Sequence, residues 1–207
     1  MCGRYTLTCP DEAALKANLP FDAFSETRIK FRPRYNIAPG QRSPVIYLNG
    51  GELVLADARW GFERATGALS INARSETVER TDMFRDAYRS GRCLVPADGF
   101  VEWRREGRVN QPYLFRTLDA SLFAMAGLWK EGRYVVLTRD SDGTVEEIHD
   151  RMPVILSGDG ARQWLNEGEL GQPPELIRTA VSRRINRTEN DDPGCIEPLA
   201  QAAFDFD

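Results

Sequence analysis

The chain has few lysines and one histidine. Of the 27 basic residues among its 207, only Lys16, Lys30 and Lys130 are lysines, and the others are arginines. Arginine does not form Schiff bases, and its planar fork suits phosphate recognition. A protein that handles aldehydes would benefit from having few lysines, but a genome rich in arginine codons would produce this bias equally well.

Long apolar runs are absent. No segment approaches the length of a membrane span, and residues 1–16 lack the continuous hydrophobic stretch of a secretory signal. Neither a repeat nor a composition shift divides the chain. We therefore expect one domain over 1–207, with the last few residues as a flexible tail, in a cytoplasmic monomer that does not bind membranes.

Cysteine is scarce and scattered, at Cys2, Cys9, Cys93 and Cys195. These spacings fit neither a metal site nor a disulfide framework, so we expect reduced thiols, no metal and no cofactor. The formal net charge of −4 argues against indiscriminate binding to nucleic acid, although a local basic groove remains compatible with it.

Cys2 directly follows the start methionine. Removal of Met1 would give Cys2 a free α-amine with a pKa near 8, beside its thiol. The amine can condense with an aldehyde to a Schiff base, and the thiol can then close a thiazolidine ring. The alternative is an inert cysteine at a frayed terminus.

Short apolar segments between turn residues predict an α+β fold, with a curved, mainly antiparallel sheet or partial β-barrel and irregularly inserted helices. Asp11 is predicted to cap the first helix, Pro20 to end it, and Asn49-Gly50-Gly51 to form a hairpin turn. An ordered loop is expected over 35–40. The strands are predicted over 3–8, 44–48, 52–56, 93–95, 100–103, 113–115, 122–125, 134–137 and 154–156, and the helices over 11–18, 77–89, 144–149 and 159–166.

Three polar residues are candidates for acid–base chemistry. His149, the only histidine, lies in a polar junction before a predicted strand and is suited to proton transfer, although single histidines are more often structural. Glu102 has apolar neighbours, so it is either an outward-facing strand residue or a buried acid with a raised pKa. Asn72 offers a donor and an acceptor for a sugar hydroxyl or a carbonyl.

Six segments, taken in order, resemble the SOS-response-associated peptidase (SRAP) family. They are CGRY at 2–5, YNIAP at 35–39, WG at 60–61, NARSE at 72–76, RCLVPADGFVEW at 92–103 and HDRMPVIL at 149–156. The resemblance spans most of the chain, so coincidence is a poor explanation.

The resemblance implies a sensor of abasic sites in single-stranded DNA, which loses Met1 and attaches to the ring-opened sugar aldehyde through a thiazolidine. Carried onto matching positions, Cys2 is the nucleophile, Asn72 orients the sugar, Glu102 serves proton transfers, and His149 assists ring opening and reversal. The family name also implies a self-directed peptidase step at the Met1–Cys2 bond, for which a cellular aminopeptidase is the alternative. The nucleoid would be the site of action, with replication or repair proteins as partners.

DNA binding also needs phosphate contacts and surfaces for unstacked bases. The arginines nearest the reactive residues are predicted to contact phosphates, although surface salt bridges are their commoner role. A further phosphate contact, at residue 138, is in doubt because Thr-Arg-Asp at 138–140 departs from the family's Thr-Thr-Glu. The predicted DNA-binding residues are Arg4, Arg74, Arg151 and Thr138 for phosphates, and Pro39, Trp60 and Trp103 for bases.

Three other functions compete with this interpretation. Cys2 could serve an N-terminal-nucleophile amidohydrolase, in which its own amine is the base. With His149, it could serve a cysteine peptidase that acts on other proteins. The chain could also be a non-covalent DNA-binding module, in which Cys2 is incidental. Amide hydrolysis, proteolysis and reversible salt-sensitive binding would distinguish the three.

Overall fold

The computed structural model describes residues 2–19, 21, 24–156 and 158–199. Within these ranges the chain forms an α+β fold rich in β-structure, with curved sheets that do not close into a barrel. This confirms the predicted class. The predicted helix end at Pro20 and the predicted tail beyond residue 199 lie outside the described residues.

The described strands form two large sheets and one small hairpin. One sheet has the order β16-β11-β10-β1-β3, and the other has the order β14-β13-β12-β9-β4-β5-β2, while β6 pairs with β7. The strands are β1 (Tyr5–Leu7), β2 (Glu26–Arg28), β3 (Arg34–Ile37), β4 (Arg42–Asn49), β5 (Glu52–Trp60), β6 (Phe62–Glu63), β7 (Leu69–Ser70), β8 (Asn72–Arg74), β9 (Arg92–Ala97), β10 (Gly99–Glu106), β11 (Val109–Thr117), β12 (Phe123–Lys130), β13 (Arg133–Asp140), β14 (Arg151–Pro153), β15 (Ile155–Leu156) and β16 (Leu176–Ala180).

The described α-helices are short and lie between these strands. They are α1 (Glu12–Asn18), α2 (Asp82–Ser90), α3 (Gly143–Glu146) and α4 (Gly160–Glu167). The Asp11 side chain accepts a hydrogen bond from the Ala14 amide at 2.8 Å, which confirms the predicted cap. None of the helices that the structure describes is long and apolar enough to cross a membrane.

The β4–β5 hairpin confirms the turn prediction. Asn49 pairs with Glu52 across a two-residue loop, and Gly50 and Gly51 have φ values of +61° and +88°. Glycine adopts this left-handed backbone without a Cβ clash, as a type I′ hairpin turn requires. β4 begins two residues before and ends one residue after its predicted bounds, and β5 begins as predicted and ends four residues later.

Three predicted elements were wrong in part. Residues 35–37 of the expected loop belong to β3, because this strand pairs with β1. The predicted helix over 77–89 is split, because Thr81 is extended and separates a 3₁₀ turn at Val78–Arg80 from α2. The helix predicted over 144–149 ends at Glu146, so His149 lies in the segment that follows it.

The β1 strand occupies the inner part of its sheet. It pairs on one side with β10, where Tyr5 is opposite Phe100, and on the other with β3, where Tyr5 is opposite Ile37. Asp98 strengthens this attachment, because its carboxylate accepts hydrogen bonds from the Thr6 hydroxyl and the Thr8 amide, both at 2.5 Å. The residues that precede β1 are therefore held next to β10.

Candidate active site

Cys2 lies just before β1 and is fully buried. Its thiol is 3.9 Å from the Arg4 carbonyl oxygen. Burial raises the pKa of the thiol well above its ordinary value, and the negative charge of Glu102 adds to this effect. In this conformation the thiol is therefore protonated at neutral pH. All four cysteines are free thiols, as predicted.

Glu102 lies on β10 in the region that faces the start of β1. Tyr5 pairs with Phe100 and Thr6 with Gly99, so the continued register brings Gly3 opposite Glu102. Only 2% of Glu102 is exposed, and burial raises its pKa to about 7, while the positive charge of the chain's amino group opposes the rise. Of the two alternatives that its apolar neighbours left open, Glu102 is therefore the buried acid with a raised pKa.

Asn72 contacts Cys2 from the sheet that contains β13. It is the first residue of β8, which pairs in parallel with β13, and its Nδ2 donates a hydrogen bond of 2.8 Å to the Cys2 carbonyl. Its Oδ1 is buried and accepts no hydrogen bond from any residue that the structure describes. Asn72 therefore holds the Cys2 backbone through Nδ2, and its Oδ1 is available to accept a hydrogen bond from a ligand.

His149 follows α3 and precedes β14. Its Nδ1 accepts a hydrogen bond of 3.0 Å from the Arg151 amide and is 2.9 Å from an Asp150 carboxylate oxygen. Burial and the charge of the amino group lower the pKa of His149, against the opposing effect of Asp150. The ring is therefore neutral at pH 7, and 30% of its side chain is exposed, so it can exchange protons with solvent.

The predicted phosphate-binding residues differ in their surroundings. Arg74, at the end of β8, is exposed, whereas Arg4 is buried and donates to Asn36 Oδ1 at 2.6 Å and to the Ile185 carbonyl at 2.7 Å. Thr138 is also buried. The arrangement leaves Arg74 accessible to a DNA phosphate, and it gives Arg4 and Thr138 structural contacts.

Arg151 is buried as well, with 8% of its side chain exposed. Its guanidinium pairs with Glu76 and Asp140, and it donates to the Thr138 carbonyl at 2.8 Å. A DNA phosphate would have to displace one of these carboxylates. Arg151 therefore has partners within the fold in this conformation, and its phosphate contact stays a prediction.

The three predicted base-contacting residues lie in different environments. Pro39 is exposed. Trp60 is fully buried, where its ring stacks on Tyr134 and its Nε1 donates to the Ile71 carbonyl at 2.8 Å, so no face is open to a base in this conformation. Trp103 is half-buried, with the Arg4 guanidinium carbon 5.6 Å from its ring centre.

Sequence reasoning missed three residues that support the site, namely Asn36, Glu76 and Asp98. Each lies inside a segment that carries the family resemblance, but none was assigned a role. Asn36 anchors Arg4, Glu76 anchors Arg151, and Asp98 anchors β1. Asn36 and Asp98 carried a signal, since each is a polar residue next to buried apolar ones, whereas Glu76 lies between Ser75 and Thr77 and carried none. Among the described residues, no group of histidine, cysteine and acidic side chains is arranged to hold a metal ion.

The fold and the site define an α+β protein with a thiol, an amide, a carboxyl and an imidazole gathered around the start of its chain. Over residues 1–189 the sequence matches the model of a family described as SOS response associated peptidase (SRAP). The chain therefore belongs to the SRAP family.

Relatives from bacteria and a vertebrate are similar over most of the chain. The Abasic site processing protein YoqW of Bacillus subtilis (strain 168) is 33% identical, over 95% of this chain and 99% of that protein. The Abasic site processing protein YedK of Escherichia coli (strain K12) is 29% identical, over 96% and 100%. The Abasic site processing protein HMCES of Xenopus tropicalis is 33% identical, over 82% and 67%.

Solved structures share the fold. A phage-related protein from Bordetella bronchiseptica superposes with a TM-score of 0.72 at 29% identity, over 88% of this chain and 95% of that one. A protein from Bacteroides thetaiotaomicron superposes with a TM-score of 0.75 at 20% identity, over 96% and 100%, and this second likeness concerns the fold alone.

Proposed function

We propose that this protein senses abasic sites in single-stranded DNA and becomes covalently attached to them through Cys2, after Met1 has been removed. The observation that carries the proposal is the hydrogen bond of 2.8 Å from Asn72 Nδ2 to the Cys2 carbonyl, which brings Cys2 to a site that also holds Glu102. The abasic-site names of relatives that match nearly the whole chain support the choice of ligand.

The first step supplies an aldehyde. An abasic deoxyribose is mainly a closed hemiacetal, and a base that takes the proton of its hydroxyl opens the ring. His149 is suited to this step because burial lowers its pKa, so the ring is neutral and able to accept a proton. The unoccupied acceptor Oδ1 of Asn72 would orient a sugar hydroxyl.

The covalent steps follow at the Cys2 backbone and side chain. The free amine adds to the aldehyde carbon, a C–N bond forms, and water leaves as the imine appears. Glu102 donates the proton that this departing water requires, and its pKa of about 7 leaves a substantial protonated fraction at neutral pH. The thiol sulfur then bonds to the carbon of the protonated imine while the thiol proton passes to the Glu102 carboxylate, which completes the thiazolidine.

Met1 removal is a condition of this chemistry. While Met1 is present the Cys2 nitrogen is an amide, which does not condense with aldehydes. Cys2 and Glu102 are the candidates for a self-directed cleavage of the Met1–Cys2 bond, and a cellular aminopeptidase would give the same product. We infer that the peptidase activity in the family's name is this maturation step.

The DNA strand would lie against the exposed residues nearest the site. Arg74 follows Asn72 by two residues and is exposed, so it is the arginine that we place on a flanking phosphate. Pro39 is the exposed candidate for a wedge between bases, and Trp103 is a half-buried one. The proposed partners are therefore single-stranded DNA with abasic sites and the repair or replication proteins that meet such DNA.

The test is the intact mass of the purified protein, before and after exposure to an abasic single-stranded oligonucleotide. We expect loss of Met1 and a denaturation-resistant adduct. Cys2→Ala should abolish the adduct, whereas Cys9→Ala, which removes another thiol of the amino-terminal region, should retain it. Absence of an adduct from protein with a free Cys2 amine would refute the proposal. Proteolysis, amide hydrolysis or purely reversible binding would then favour the corresponding alternative.

A further inference from the structure

Tyr113 lies beside Glu102 on the sheet that contains β10 and β11. The two residues are directly opposite each other in the β10–β11 pair, and residues in this relation share a face of the sheet, with Cβ atoms about 5 Å apart. Glu102 is almost completely buried, whereas Tyr113 is half-buried. The step from Glu102 to Tyr113 therefore leads from the buried acid toward solvent.

Arg104 extends this face further outward. Side chains alternate along a strand, so Arg104 shares the face of Glu102, at a distance along the strand of roughly 7 Å. Trp103 and Arg105 face the other way, and Trp103 packs there against a second apolar cluster. Arg104 is exposed. It is therefore a cation at the solvent side of the face that carries Glu102.

Tyr113 holds the Arg104 side chain. Arg104 Nη2 donates a hydrogen bond of 2.7 Å to the Tyr113 hydroxyl, and the guanidinium carbon is 5.1 Å from the ring centre, within the range of a cation–π contact. Both contacts restrict a long side chain before a ligand binds, so binding costs less conformational entropy. The guanidinium stays charged at all working pH values, and its planar fork fits a phosphate.

The segment that carries His149 is anchored on the same face of this sheet. Glu147, two residues before His149, pairs with Arg178 on β16 at 2.6 Å. Arg178 shares the face of Tyr113, because it is opposite the residue two positions after Tyr113 on β11. The strand β11 lies between β16 and β10. Tyr113 therefore lies between the anchor of His149 and Glu102, at the border of the candidate site.

We propose that Arg104 binds a phosphate next to the abasic sugar, and that Tyr113 positions it for this contact. The inference rests on the proposed function for the identity of the ligand. Arg74 belongs to β8, which pairs with β13 of the other large sheet, so the two arginines approach the site from different sheets. Each arginine then takes a different one of the two phosphates that flank the lesion.

The first measurement is the affinity for abasic single-stranded DNA in the Cys2→Ala background, where no adduct interferes. Arg104→Gln should weaken binding about tenfold at low salt, as expected for loss of a hydrogen-bonded charge contact. The slope of log affinity against log salt concentration should fall by roughly 0.7. Tyr113→Phe removes only the hydroxyl, so it should weaken binding less and leave the slope unchanged.

Arg105→Gln is the matched control. It removes the same charge one residue further along β10, on the opposite face of the strand. Its affinity and its salt slope should stay close to those of the Cys2→Ala parent. Equal losses in Arg104→Gln and Arg105→Gln would overturn the inference, because they would reflect the total charge of the hairpin and not a contact at one place.

The second measurement identifies the phosphate. It uses two oligonucleotides, each with one of the phosphates beside the abasic site replaced by a neutral methylphosphonate. Two changes that remove the same contact are not additive. One oligonucleotide should therefore be insensitive to Arg104→Gln, and the other should be insensitive to Arg74→Gln. An effect of Arg104→Gln that persists with both oligonucleotides would overturn the inference, and so would loss of both effects with the same one.

Failure of the proposed function gives a different result. A native protein that binds the abasic oligonucleotide reversibly and forms no adduct would refute the covalent reaction, and the comparison of Arg104→Gln with Arg105→Gln would still decide the role of Arg104. A native protein that binds no single-stranded DNA would overturn both proposals.

Discussion

Replacement of Glu102 by glutamine should stabilise the protein and impair its reaction. Burial raises the pKa of Glu102 from 4.5 to about 7, so the folded chain retains a proton that the unfolded chain releases. This shift corresponds to roughly 3 kcal/mol, at about 1.4 kcal/mol per pH unit. Glutamine has nearly the same shape and carries no charge, so it avoids that cost.

The sign of the effect can be followed along the pH scale. Below pH 4.5 the carboxyl is protonated in both states, so burial of a charge costs nothing. Between pH 4.5 and about 7 the unfolded state binds fewer protons than the folded one, and the native protein loses stability as the pH rises. The advantage of Glu102→Gln should therefore grow across this interval and level off near pH 8, at roughly 3 kcal/mol.

The assay is urea denaturation at several pH values, with the free energy of unfolding compared between the native protein and Glu102→Gln. The exposed Glu52→Gln serves as the control for loss of a surface carboxylate. A stability difference that stays constant from pH 4.5 to 8 would contradict the reasoning. Adduct formation should fall by about 10²- to 10⁴-fold in Glu102→Gln, because glutamine cannot donate the proton.

Two further substitutions test other parts of the structure. Arg74→Glu should weaken binding of single-stranded DNA of any sequence and should reduce the slope of log affinity against log salt concentration by roughly 0.7 per lost phosphate contact. Arg108→Glu, at another exposed arginine, is the control. An unchanged slope in a salt titration would show that Arg74 does not contact the DNA. Gly91→Ala should destabilise the fold by about 1–3 kcal/mol in thermal denaturation, because a Cβ at Gly91 would lie 2.2 Å from the Trp129 carbonyl oxygen. A melting temperature equal to that of the native protein would contradict this, because it would show that β12 at Trp129 can move away from the added methyl group without loss of stability.

Local patterns predicted those features that depend on neighbouring residues. Two consecutive glycines set the β4–β5 turn, and an aspartate before an amphipathic run set the start of α1, because both effects act within a few residues. The apolar neighbours of Glu102 on β10 left two alternatives open, an outward-facing residue and a buried acid, and the structure has the buried acid. Its raised pKa follows chiefly from burial, and the negative charge of Asp150, which is distant in sequence, adds to it.

Distant partners decide the features that sequence reasoning did not predict. The strand β3 lies in a segment rich in proline and glycine, and it becomes a strand because β1 offers it unpaired backbone groups. Arg151 is paired with Glu76, which lies 75 positions earlier, and its predicted phosphate contact stays a prediction. Trp60 is enclosed by Tyr5 and Tyr134, and neither contact is visible in the residues next to it.

A single physical cause acts on both reactive groups, and it assigns them an order. Burial raises the pKa of Glu102 to about 7 and raises that of the Cys2 thiol much further. The thiol is therefore too well protonated to be the first nucleophile, and in the proposed reaction the amine attacks first. In the proposed reaction, formation of the protonated imine consumes a proton from Glu102, which leaves a carboxylate beside the thiol. That carboxylate is then the base for ring closure, so the acid of one step becomes the base of the next.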